Sequence, residues 1–140
     1  MTGHMIRIEV FTDFNSLFKL LSRKFGKMYY TAFKCGDKKI GLILSEKFFI
    51  STMSAAALVI IIEEMESGKQ KIDLISFAGS SGIFNISWGT HISYVRDVLV
   101  FLENNGIEFH KLMEINYMSS KKLPEDVRNR LIFILGGSKR

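Results

Sequence analysis

The chain has 140 residues, of which 47% are apolar and 24% charged, and its formal net charge is +5. That length suits one domain with its own hydrophobic core, and the composition excludes a disordered chain, which would combine lower hydrophobicity with more net charge. The single cysteine, Cys35, excludes an internal disulfide, and no Cys/His set has the spacing of zinc ligands.

Gly3-His4-Met5 looks like a cloning-site remnant, so residues 1–4 are set aside and Met5 is read as the natural start. From Met5 to Phe11, Ile6, Ile8 and Val10 alternate with Arg7 and Glu9, the pattern of a half-buried strand. Thr12 or Asp13 offers a helix N-cap. Phe14, Leu17, Phe18, Leu21 and Phe25 follow at helical spacing, and Gly26 stands where a glycine stop belongs.

Met28 to Cys35 and Ile40 to Leu44 read as two strands joined by the turn Gly36-Asp37-Lys38-Lys39. Phe48-Phe49-Ile50 suggests a further short strand. Ala55 to Met65 is a long strand, β-branched at Val59-Ile60-Ile61-Ile62. Ser67-Gly68-Lys69-Gln70 turns the chain into Lys71 to Ala78, and Ile83 to Trp88 closes the meander. Thr90 caps a second helix, with a stripe of Tyr94, Val95, Val98, Leu99 and Leu102, and Asn104-Asn105-Gly106 ends it.

Beyond Gly106, residues 107–118 have no clean period. Leu123-Pro124-Glu125-Asp126 is a helix start, followed by a stripe of Val127, Leu131 and Leu135. The expected organisation is an α+β core domain over 5–106 and a C-terminal extension with a short helix over 107–140. The fold expected is an antiparallel meander with helices packed on one face, in β-α-β(4–5)-α order. A helix-grip-like or a ferredoxin-like core satisfies that order.

The longest uninterrupted apolar run, Ala55 to Ile62, is far short of the ~20 residues of a membrane helix, so no membrane partner is expected. One cysteine and no signal peptide make the cytoplasm the default compartment. Cys35 itself reads as a small core or strand residue. The basic excess is mild. Residues 1–106 hold 12 Lys/Arg against 10 Asp/Glu, and residues 107–140 hold 7 against 4. Short clusters at Arg23-Lys24 with Lys27, Lys38-Lys39 and Lys121-Lys122 read as solvated surface rather than a nucleic-acid stripe.

The run Asp73 to Gly82 with its Gly79-Ser80-Ser81-Gly82 turn, then Ile83 to Ile86, then the helix through Leu102, resembles a family of small uncharacterised prokaryotic domains. Members of that family also open on a strand followed directly by a helix, as Ile6 to Phe25 does. The resemblance covers about residues 5–105. It implies a compact α+β domain that self-associates, and it carries no catalytic residues.

Three local features are candidates for chemistry. The N–H groups and hydroxyls of Gly79, Ser80, Ser81 and Gly82 would suit an anion, although glycines that lead into a strand more often make a tight turn or bulge. Trp88 and His91 flank a strand-to-helix junction, where the helix dipole favours a neutral imidazole. Glu63, Glu64 and Glu66 near a strand end read as exposed acids. No HExxH, EF-hand loop, GxSxG or CxxC occurs. No metal or cofactor is therefore expected. The first expectation is a non-catalytic binding module that forms a homo-oligomer through residues 123–135. A small-molecule carrier or enzyme with a cavity between the sheet and helix 91–103 comes second, and nucleic-acid binding third.

Overall fold

A computed structural model describes residues 2–50, 53–66, 68–79, 90–116 and 123–136. In chain order the elements are β1 (Thr2–Val10), α1 (Phe14–Phe25), β2 (Tyr29–Cys35), β3 (Lys38–Phe49), β4 (Ser54–Glu64), β5 (Gln70–Gly79), α2 (Thr90–Asn104), β6 (Phe109–Asn116) and α3 (Glu125–Ile134). The six strands form one antiparallel sheet in the order β2-β3-β4-β5-β1-β6. The chain is α+β, as its pattern of elements predicts.

The strand alternation decides which face holds the core. Ile6, Ile8 and Val10 of β1 register with Leu74, Ile72 and Gln70 of β5, and Ile72 and Leu74 register with Ile62 and Ile60 of β4. All of these are buried, and they meet the stripes of α1 and α2. Helix α1 contributes Phe14, Leu17, Leu21 and Phe25 over β3 and β4. Helix α2 contributes Tyr94, Val95, Val98 and Leu102 over β4, β5 and β1. Each fully buried Leu or Ile stabilises the fold by roughly 1.5–3 kcal/mol relative to exposure, which is why these stripes outweigh local preference.

The ends of α1 follow from its sequence. The Asp13 carboxylate accepts from the Ser16 backbone N–H at 2.9 Å. Gly26 ends the helix with φ of −81°, outside the left-handed region. Glycine is needed there for space, since a Cβ would sit 2.5 Å from the Ser22 carbonyl oxygen. Gly41 has the same role on β3, where a Cβ would lie 2.7 Å from the Phe18 ring.

Four expectations are corrected. Residues 2–4 belong to β1, and His4 is fully buried with Nε2 2.7 Å from Glu114. Strand β3 runs unbroken to Phe49, so Phe48-Phe49 continues the second hairpin strand. Residues 109–116 are strand β6, paired with β1, so the sheet extends past the boundary placed at 106. A register shift between Arg7 and Ile8 hides β6 from periodicity. Phe109 and Lys111 pair on the helix side before the shift, Glu114 and Asn116 after it, and the alternation changes phase at Leu112. Finally, Cys35 is a strand residue but an exposed one. The strand expected over 83–88 lies outside the described residues.

Candidate functional site

The sheet face turned away from α1 and α2 is built in register rows. Tyr29, Leu44, Val59, Ile75, Met5 and Ile115 form one row across all six strands, and every member is apolar. The next row reads Thr31, Leu42, Ile61, Asp73, Arg7 and Met113, and the third reads Phe33, Ile40, Glu63, Lys71, Glu9 and His110. The acids and cations of these rows thus all fall on β4, β5 and β1, at Glu63, Asp73, Lys71, Arg7 and Glu9, and none on β2 or β3. In a strand with one solvated face these positions should be polar, so the apolar rows require an explanation.

The charged half holds α3. The Arg7 guanidinium donates from Nε and Nη2 to Asp73 at 2.7 and 3.1 Å. Its Nη1 donates to both Asp126 oxygens at 3.1 Å. Arg7 is therefore a buried fork that joins β1, β5 and the first turn of α3, a geometry only a planar guanidinium offers. Hydrogen bonding to Asp73 raises the Arg7 pKa further above its ordinary value, against the pull of burial. Burial pushes the Asp126 carboxyl up, and the Arg7 hydrogen bond and charge more than offset this, leaving it below the usual range. Glu63 behaves the same way. Burial raises it, and Lys71 at 2.9 Å with the charges of Arg130 and Lys38 brings it down overall. Of the three glutamates read as exposed acids only Glu66 is exposed: Glu63 is part of this network, and Glu64 is half-buried and accepts from the Lys39 backbone N–H at 3.1 Å. Arg130 reaches 4.0 Å from Glu63, so α3 runs from β1 toward β4.

The C-terminal half of α3 is different. Phe133 and Ile134 follow Arg130 at the i+3 and i+4 positions, on the helix face that brings Asp126 and Arg130 to the sheet. Yet they are 86% and 66% exposed, and Leu131 and Leu135 are exposed as well. On the same sheet face Tyr29 and Phe33 of β2 and Phe48 of β3 are 53%, 55% and 55% exposed.

A second feature lies on the helix side. A cleft of about 660 Å³ opens between the end of α1 and α2, with β3 as its floor. Arg23, Lys24 and Lys27 line one wall, Tyr94, Asp97 and Phe101 the other, and Ser45 and Lys47 the floor. Lys47 pairs with Asp97 at 3.0 Å. The buried hydroxyls of Ser45 and Tyr94 are hydrogen-bonded to each other. Burial raises the Tyr94 phenol pKa, with the Ser45 bond opposing it.

Of the residues singled out in the sequence, Gly79 ends β5 and His91 lies in the first turn of α2. Ser80, Ser81, Gly82 and Trp88 lie outside the described residues. Sequence reasoning missed Arg7, Asp73 and Asp126, which are far apart in the chain. No local signal singles out Arg7, which alternates with apolar residues just as Glu9 does. Among the described residues no three His, Cys, Asp or Glu converge as metal ligands, and no helix is long and apolar enough to cross a membrane. No protein-family model matches the chain, and a comparison with curated proteins finds no match.

Proposed function

We propose that the protein is a non-catalytic interaction module that pairs with a second copy of itself through the sheet face opposite α1 and α2. The observation that carries this reading is the exposure of Phe133 and Ile134 on the side of α3 that carries Asp126 and Arg130 to the sheet, on the same face as the apolar rows of β2 and β3. One surface thus holds both protruding apolar groups and a flat apolar area to receive them. A two-fold interface needs that self-complementarity, because the same patch serves both subunits.

Aromatic side chains offer ~150–250 Å² each, so the half-exposed Tyr29, Phe33 and Phe48 with Phe133 and Ile134 present on the order of 500 Å², about the apolar share of a stable interface. A stable interface buries about 800 Å² per partner. An uncovered patch of that size is rare on a monomer, where contiguous apolar patches seldom exceed a few hundred Å². The expected packing is sheet against sheet, with α3 of each copy at the margin.

Light scattering on the full chain tests the reading. The parent should have the mass of a dimer. Phe133→Asp with Ile134→Asp should give a folded monomer, since both positions are exposed. Deletion of residues 119–140 should also leave one copy per particle. A monomeric parent, or a dimer untouched by these changes, would overturn the proposal. The cleft between the sheet and α2 favours a second activity in the same molecule, on the opposite face.

A further inference from the structure

We infer that the cleft between the end of α1 and α2 binds a nucleotide, with its phosphates on Arg23, Lys24 and Lys27 and its base beside Phe101. Four features of the cleft support this.

The first is charge. Arg23 and Lys24 fall in the last turn of α1 and Lys27 just after it, so three cations share one wall. No ion pair to a described residue neutralises any of them; Lys47 in the same cleft is held by Asp97, and Glu46 is the other acid that lines it, so the cations remain in excess. The helix dipole favours cations at this end, but it does not relieve their mutual repulsion, and a phosphate would.

The second is the floor. The Ser45 and Tyr94 hydroxyls carry two protons between them, and their mutual bond uses one. Both residues are buried and both line the cleft, and no second hydrogen bond to a described residue uses the remaining proton. A buried donor without an acceptor is costly. A ribose oxygen or a ring nitrogen would satisfy it, whereas an aliphatic ligand would not.

The third is the aromatic wall. Phe25 stands edge-on to Phe101 at 5.5 Å between centroids, which fixes that ring. Lys24 Nζ lies 5.9 Å from the same ring centroid, so a cation and a π-surface meet at one point. Such a pair suits a ligand that is anionic at one end and flat at the other.

The fourth is size. At about 660 Å³ the cleft is in the ~300–1,000 Å³ range of small-molecule sites. A concave site of this size suits a bounded ligand better than a nucleic-acid strand.

Isothermal titration of the full chain with ADP, inorganic pyrophosphate and adenosine is the test. ADP should bind, and each of the other two should bind at least ~10-fold more weakly, because each engages only part of the site. Arg23→Gln with Lys27→Gln, at exposed positions, should weaken ADP at least ~10-fold. Tyr94→Phe should weaken it by about 3- to 10-fold, the worth of one hydrogen bond. Absence of ADP binding, equal affinity for pyrophosphate, or indifference to the Arg23/Lys27 change would each overturn the proposal. The Phe133→Asp/Ile134→Asp chain should bind ADP like the parent, since the cleft is on the other face. The cleft proposal and the pairing proposal therefore fail separately.

Discussion

Replacing Arg7 with methionine removes the fork that ties α3 to the sheet while keeping an unbranched side chain of similar reach. The two arms of the fork differ in environment. The Arg7 side chain is 8% exposed and Asp73 15%, whereas Asp126 is 49% exposed. Stranding one member of a buried pair costs ~3–5 kcal/mol. The residual exposure of Asp73 reduces this to about 2–4 kcal/mol. The half-exposed Asp126 arm contributes about 0–1 kcal/mol. Arg7→Met should therefore cost about 2–4 kcal/mol and Asp126→Asn less than about 1 kcal/mol. Urea unfolding at fixed protein concentration measures both. With a slope of about 2 kcal/mol per molar, the Arg7→Met midpoint should fall by about 1–2 M. Arg7→Met with Asp73→Leu should recover most of the loss, because no carboxylate is then stranded. A cost for Arg7→Met below about 0.5 kcal/mol, the size of an ordinary surface change, would refute the reasoning. So would an Asp126→Asn cost equal to that of Arg7→Met.

Acid should release α3 before it unfolds the sheet. The folded-state pKa values of Asp126 and Glu63 lie below the ordinary 3.8 and 4.5. The folded state thus binds fewer protons than the unfolded chain, and the contribution of these groups is complete above those values and lost as pH falls through the lowered ones. Dimer mass measured between pH 7 and pH 3 should be constant down to about pH 4.5 and fall below it. Gly41→Ala should destabilise by about 1–3 kcal/mol, as overpacking does, because its Cβ would sit 2.7 Å from the Phe18 ring. Thermal unfolding reads that change, and combining it with Phe18→Leu should reduce the loss.

Much of the helix face was legible along the chain. The stripes of α1 and α2 repeat at the helical period, and the chain marks their ends with Asp13, Gly26 and Asn104-Asn105-Gly106. Local rules suffice there, because each signal is spaced within a few residues of its partner. The hairpins β2–β3 and β4–β5 were legible for the same reason, with Gly36 and Gly68 at positive φ in their turns. Strand β6 was not legible, because its bulge breaks the alternation from which a strand is recognised.

The candidate sites were much less visible. By itself the sequence determined the class of fold, the two core helices and the hairpins β2–β3 and β4–β5, since these depend on periodicity and short turns. Only the tertiary structure decided that β1 lies between β5 and β6, and this placement aligns Arg7 with Asp73 and brings Asp126 onto both. It also decided that the apolar members of six strands fall in one row on the open face, and that Ser45 meets Tyr94 beneath three cations. These are contacts between residues dozens of positions apart. Strand order and register create them, and no local pattern in the chain records either one.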